Sequence, residues 1–218
     1  MKPVTVPALL ASGRTADVYL VDDRRVLRRY RAGGDVAAEA EVMRHLRASG
    51  YPVPAVHRAD GPDLVLERLV GPTLAEAYVR GDVDTTDGAR LLADLHARLH
   101  ALPAARSSDP DVRILHLDLH PENVVLTPAG PVVIDWANAT EGPAELDTAM
   151  TALILAEVAT DRDTPLSTPA RELLVGYLAA TGPARLLAGA ATLRADTGPL
   201  DAARLAEATA LVRGLSAG

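Results

Sequence analysis

The chain has 218 residues, a formal net charge of −7, 48% apolar residues and no cysteine. That apolar content specifies a folded globule and excludes a disordered chain, and the lack of cysteine excludes a disulfide framework and thiol chemistry. Residues 1–72 carry 11 Lys+Arg against 9 Asp+Glu, whereas residues 73–218 carry 11 against 20, a balance that disfavours nucleic acid as a partner.

No segment reaches transmembrane length, and the first residues lack the basic-then-apolar layout of a secretory signal. The expectation is a cytoplasmic protein with no membrane partner.

From Val4 to Tyr30 the pattern is strand-like. Ser12-Gly13-Arg14-Thr15-Ala16 separates a first run from Asp17-Val18-Tyr19-Leu20-Val21, and Asp22-Asp23-Arg24-Arg25 makes a turn before Val26-Leu27-Arg28-Arg29-Tyr30. Alternation along that third strand places Arg28 and Arg29 on opposite faces. Val36 to Ala48 predicts an amphipathic helix, with Val36, Ala40, Met43 and Leu46 at helical spacing. After the Pro52 and Pro54 turn, Leu64-Val65-Leu66-Glu67 reads as a buried strand running into Arg68-Leu69-Val70-Gly71.

A helix from about Thr86 to Leu102 follows, ended by Pro103. His96 and His100 lie one turn apart on it, a spacing seen at zinc sites. The stripe of Leu91, Leu92, Leu95 and Leu99 around them favours core histidines.

The richest stretch runs from His116 to Trp136, HLDLHPENVVLTPAGPVVIDW. A strand, the turn Thr127-Pro128-Ala129-Gly130 and a second strand make a hairpin, whose two ends return to each other. Asn123 and Asp135 stand at those ends. A side-chain amide oxygen and a carboxylate are hard ligands of the kind that magnesium takes together with phosphate oxygens. Asp118 precedes the hairpin on a loop, where a carboxylate can accept the proton of an attacking hydroxyl. Two other readings stand beside this one: a His116-Asp118-His120 metal triad, and a purely structural turn and hairpin.

His116, Asp118, Asn123 and Ile134-Asp135-Trp136 resemble the H-x-D-x-x-x-x-N and apolar-Asp-Trp steps of the aminoglycoside phosphotransferase family, the small-molecule kinase branch of the protein-kinase-like fold. The resemblance implies an α+β fold in two lobes: residues 1–70 as a nucleotide-binding lobe with a small antiparallel sheet, and residues 71–218 as a mainly helical lobe carrying the catalytic loop and hairpin. It implies that Asp118 is the catalytic base and that Asn123 and Asp135 hold Mg2+. Ser12, Gly13 and Thr15 fall in the loop that covers the nucleotide, where backbone N–H groups meet phosphate. Arg28 falls where kinases place a phosphate-holding lysine, and its planar, permanently charged guanidinium can still bind phosphate. Glu39 takes the position of the helix glutamate that pairs with this cation, with Glu41 as a second choice. The backbone from Glu67 to Leu69 corresponds to the segment that recognises adenine, and Asp147 to an acid that braces the catalytic loop.

Asp147 opens an apolar helix through Leu153-Ile154-Leu155, and residues 168–181, about 184–195 and 201–213 read as further helices separated by Gly-Pro breaks. The short interval between Asp135 and Asp147 leaves no room for a peptide-docking segment. The implied function is transfer of the γ-phosphoryl group of ATP or GTP to a hydroxyl of a small molecule. Acidity in the second half favours a cationic acceptor, although solvated helix faces account for it equally well. A nucleotide-binding module without turnover is the alternative.

Overall fold

The computed structural model describes residues 8–199 and 201–217; the expected strand start at Val4 lies outside them. In chain order the elements begin β1 (Ala8–Ser12), β2 (Ala16–Asp22), β3 (Arg25–Tyr30), α1 (Ala37–Ala48), β4 (Val56–Asp60) and β5 (Asp63–Glu67). They continue with α2 (Leu74–Arg80), α3 (Thr85–His100), β6 (Arg113–Leu115), a 3-10 turn (Pro121–Asn123), β7 (Val124–Thr127), β8 (Gly130–Val133) and β9 (Thr140–Gly142). Helices α4 (Ala144–Thr160), α5 (Ser167–Thr181), α6 (Leu187–Thr197) and α7 (Ala202–Ser216) follow. The chain forms two compact units: Met1–Gly71 with Val125–Ala137, and Pro72–Val124 with Asn138–Gly218.

The first unit is built on an antiparallel sheet of order β1-β2-β3-β5-β4. Arg28 pairs with Val18 on one side and Leu64 on the other, so the ladders of two neighbouring strands fix it. Helix α1 buries Glu39, Ala40, Met43 and Leu46, the apolar stripe expected of it with one carboxylate added. The hairpin of β7 and β8 turns as its sequence requires. Thr127 Oγ1 donates to the Gly130 carbonyl at 2.8 Å and accepts from the Ala129 N–H at 3.2 Å, while Gly130 takes φ 118°, a conformation open to glycine.

The hairpin is locked to the rest of this unit. Trp136 is fully buried, donates from Nε1 to the Val133 carbonyl at 3.1 Å, and meets Tyr51 edge-on at 5.8 Å between ring centroids. The Val133 N–H donates to the Pro52 carbonyl at 2.8 Å. Gly71, at φ 152°, passes so close to β7 that a Cβ would sit 2.0 Å from the Leu126 carbonyl oxygen.

The second unit packs helices around α4, whose residues Ala149–Glu157 are buried without a break. A helix that is apolar on every side belongs at the centre of a bundle. It begins at Ala144 behind Pro143, so Asp147 lies inside its first turn and does not open it. The short α2 is an element the apolar pattern did not predict. It is delimited by a capping box between Thr73 and Glu76 and by Gly81 in the left-handed conformation. The three-residue strands β6 and β9 pair in register Arg113↔Gly142. They were likewise too short to show a period.

Candidate active site

In the second unit Asp118 sits on the loop between β6 and the 3-10 turn. Its backbone is gripped on both sides. Asp147 accepts the His116 N–H at 2.9 Å and the Leu117 N–H at 2.7 Å, and Thr151 Oγ1 donates to the Leu119 carbonyl at 2.6 Å. Leu117 takes φ 59°, a left-handed conformation that a branched residue holds only when its surroundings impose it. Buried His116 adds a third tie, its Nδ1 accepting the Asp118 N–H at 3.2 Å.

Asp147 is wholly buried. His100 Nε2 lies 3.0 Å and His96 Nε2 3.6 Å from its Oδ2. Burial by itself would raise the Asp147 carboxyl, but the His96 and His100 imidazoles override it and hold the group well below the usual carboxylate range. His96 Nδ1 is in turn 2.8 Å from the Tyr177 hydroxyl, which also bonds to the Thr151 side chain. The two grips on the Asp118 loop are therefore joined through α3, α5 and α4. The zinc-like spacing of His96 and His100 serves this brace, as core histidines do.

Asn123 follows from the 3-10 turn. Its Nδ2 donates to the Asp118 carbonyl at 2.8 Å and faces Asp118 Oδ2 at 3.4 Å and His120 Nε2 at 3.1 Å. The Asp118 carbonyl and carboxylate oxygens are acceptors, so the amide nitrogen lies on that side. The amide oxygen is left without a hydrogen bond among the described residues. That oxygen is the hard donor a divalent cation requires.

One further residue reaches Asp118, and a second holds it in place. Arg194 of α6 donates from Nη1 towards Asp118 Oδ1 at 3.5 Å, and its Nε and Nη2 form a fork with the Glu157 carboxylate at 2.8 and 2.7 Å. Both Arg194 and Glu157 are buried. Burial disfavours the guanidinium charge, yet Glu157 and Asp118 more than offset this and raise its pKa.

In the first unit Asp135 follows β8 at φ 65°. Its Oδ1 accepts from Arg28 Nη2 at 2.6 Å, while Arg28 Nη1 donates to Glu39 Oε1 at 3.0 Å. Glu39 also accepts from the Tyr30 hydroxyl at 2.7 Å and from the Trp136 backbone N–H. Burial pushes the Glu39 carboxyl up against the opposing pull of Arg28. Arg28, in addition, lies 4.8 Å from the Tyr30 ring centroid, a cation–π contact. The Asp135 side chain is 38% exposed. Among the described residues only its Oδ1 is engaged, by Arg28, so Oδ2 could serve as a metal ligand.

The loop between β1 and β2 departs from expectation in one respect. The Gly13 N–H turns inward to the Ala16 carbonyl at 2.9 Å, and the Ser12 hydroxyl donates to Asp17 at 2.6 Å. The N–H groups of Arg14 and Thr15 are the ones left without a partner among the described residues. Arg31 fixes this arrangement. It donates to the Gly13 carbonyl at 2.7 Å, to the Arg14 carbonyl, and to Asp17 at 2.6 Å. With the loop carbonyls turned onto Arg31, the amides of the same peptides face away.

At the end of β5 the Glu67 N–H donates to the Ala55 carbonyl at 2.9 Å and the Arg68 N–H to the Arg24 carbonyl at 2.8 Å. The Glu67 side chain accepts from the Ala55 N–H at 3.0 Å and from Arg47 at 3.2 Å. The Leu69 N–H is thus the first in this segment not consumed by the sheet.

The sequence model of the phosphotransferase enzyme family matches this chain over residues 8–111 and 102–188. The chain belongs to that family. As the motif at His116–Trp136 implied, this phosphotransferase is a small-molecule kinase with an α+β, protein-kinase-like fold. Its similarity to solved structures is one of shape. A choline/ethanolamine kinase family protein from Mesorhizobium loti is 16% identical with a TM-score of 0.59, over 97% of this chain and 93% of that one. The aminoglycoside phosphotransferase APH(3'')-Id from Streptomyces rimosus is 17% identical with a TM-score of 0.55, over 94% and 91%. An amicoumacin kinase in complex with AMP-PNP, Ca2+ and Ami is 12% identical with a TM-score of 0.57, over 97% and 88%. No curated protein sequence matches this phosphotransferase. Among its described residues no helix is long and apolar enough to cross a membrane.

Proposed function

We propose that this phosphotransferase moves the γ-phosphoryl group of ATP or GTP to a hydroxyl of a small polar molecule in the cytoplasm, with Mg2+. The observation that carries this reading is the pairing of Asp118 with Asn123: a carboxylate on a braced loop beside an amide whose nitrogen is spent and whose oxygen is free. Asp118 takes the proton of the acceptor hydroxyl. The bond from the acceptor oxygen to the γ-phosphorus forms, the bond from that phosphorus to the β-phosphate oxygen breaks, and the products are a phosphate ester and a nucleoside diphosphate. Asn123 and Asp135 are the proposed metal ligands, and Mg2+ supplies charge neutralisation on the phosphates when bound.

Arg28, oriented by Glu39, holds phosphate oxygens. The Arg14 and Thr15 N–H groups, with Ser12 and Gly13 shaping their loop, cover the phosphates. The Leu69 N–H, next to Glu67, meets the adenine edge. Solved relatives of the fold bind streptomycin, gentamicin or hygromycin B, and one belongs to the choline/ethanolamine kinases. Together with the acidic second half, these motivate cationic hydroxyl compounds as the first acceptors to try.

The test is calorimetric titration of ATP into wild type and Asp135→Ala with and without Mg2+, followed by a turnover screen over those three antibiotics, choline and ethanolamine. Mg2+-dependent binding that the variant loses, with turnover on at least one acceptor, supports the reading. Binding without turnover on any acceptor returns the chain to a nucleotide-binding module, a reading favoured by the doubly engaged Arg28. Absence of binding removes both.

A further inference from the structure

Asp118, like Asp135 with Arg28, is approached by a largely buried cation from outside the catalytic segment, here Arg194 of α6. Arg194 uses one edge of its guanidinium, Nε and Nη2, for a two-bond fork with Glu157 at 2.8 and 2.7 Å. Such a fork fixes the plane of the group as well as its place. The remaining nitrogen, Nη1, then points at Asp118 Oδ1 at 3.5 Å. The other carboxylate oxygen, Oδ2, faces Asn123 Nδ2 at 3.4 Å and His120 Nε2 at 3.9 Å. Each oxygen of Asp118 is thus addressed by a different group, which restricts rotation of the carboxylate about its own axis.

The surroundings are built for this arginine. Gly198 lies against it, and a Cβ there would fall 2.9 Å from Arg194 Nε and 2.7 Å from the Arg194 carbonyl oxygen. Replacing a buried ion pair by neutral groups of similar size is often harmless to stability, so stability alone does not explain why such a pair is placed here. Its aim does. We infer that Arg194, aligned by Glu157, is a positioning residue that sets the orientation of the Asp118 carboxylate for proton abstraction. This inference rests on the phosphoryl-transfer reading of Asp118.

The experiment compares wild type, Arg194→Met, the double variant Glu157→Gln/Arg194→Met, and Arg194→Met in an Asp118→Ala background. The double variant leaves no unpaired buried charge, so thermal unfolding shows whether it is folded as the wild type is. Turnover is read as ADP release from Mg-ATP with water as the acceptor. The expected result is a double variant of near wild-type stability whose kcat is down roughly 10–100-fold, the scale of a misplacement of about 1 Å, with KM for ATP unchanged. In the Asp118→Ala background Arg194→Met should bring no further loss, as expected of a residue that acts through Asp118. Recovery of turnover along with stability in the double variant, or an undiminished effect in the Asp118→Ala background, overturns the inference. Crystals of wild type and the double variant give an answer that does not depend on turnover. A reoriented Asp118 carboxylate in the variant supports the positioning role, and an unchanged one refutes it. Inactivity of the wild type itself would count against the phosphoryl-transfer reading alone.

Discussion

Arg28 donates to Asp135 Oδ1 at 2.6 Å from one terminal nitrogen and to Glu39 Oε1 at 3.0 Å from the other. A fork-shaped guanidinium can serve both carboxylates at once, and a lysine ammonium is a compact point charge with no such fork. Arg28→Lys should weaken ATP binding by about tenfold or more, the worth of one charge-assisted hydrogen bond. Calorimetry on the folded variant checks this. Unchanged affinity would mean that Arg28 does not touch phosphate.

Asp118→Asn keeps the size of the side chain and the grip on the loop backbone, and removes the ability to accept a proton. Turnover on any acceptor found should fall by about 10²–10⁴-fold, the usual contribution of a general base, with ATP affinity unchanged. Steady-state kinetics beside a binding titration separates the two quantities.

Asp147 should matter most for stability. Asp147→Asn places an amide where the His116 and Leu117 N–H groups donate and where His100 Nε2 and His96 Nε2 lie at 3.0 and 3.6 Å. Losing a buried charged partner of this kind costs about 3–5 kcal/mol, measurable as a lower midpoint in denaturant. The pH dependence has a definite sign. The folded-state pKa lies below the ordinary value of 3.8, so the contribution is complete above about pH 4 and is lost as pH falls through the folded value. Acid unfolding of wild type should therefore be steeper below that pH than that of Asp147→Asn.

Gly71→Ala tests the passage beside the hairpin. The added Cβ would meet the Leu126 carbonyl oxygen at 2.0 Å with the backbone at φ 152°. Backbone strain of this kind costs on the order of 1–3 kcal/mol, and displacement of β7 adds to it. A thermal melt indistinguishable from wild type would contradict the packing described for Gly71.

The sequence disclosed the parts whose logic is local. The hairpin, its Thr127–Gly130 turn and the stripe of α1 follow from spacings that can be counted along the chain, and so does the family motif. Arg194, Glu157, Thr151 and Tyr177 could not be found in that way. Their partners lie 76, 37, 32 and 81 residues away in the chain, and by composition each is an ordinary helix residue. Glu157 and Arg194 even resemble solvated charges until their burial is known. Arg31 was hidden for the same reason, since only the β2–β3 pairing brings it under the Ser12–Arg14 loop. Helix α2 carries one local signal, the Thr73 and Glu76 capping box. The inward turn of the Gly13 N–H had none, because a single glycine does not reveal which peptide of a loop faces out.

The first unit is discontinuous: Val125–Ala137 return to it after the chain has left at Gly71. This sets a constraint on synthesis. When the first 71 residues have left the ribosome, Tyr51 lacks Trp136, the Pro52 carbonyl lacks the Val133 N–H, and Arg28 and Glu39 lack Asp135 and the Trp136 N–H. The packing around the nascent sheet is complete only once residue 137 has emerged. The first unit is therefore expected not to fold when it is expressed as residues 1–71 alone, and nascent chains stalled before Trp136 should stay sensitive to protease while those extended past it acquire resistance.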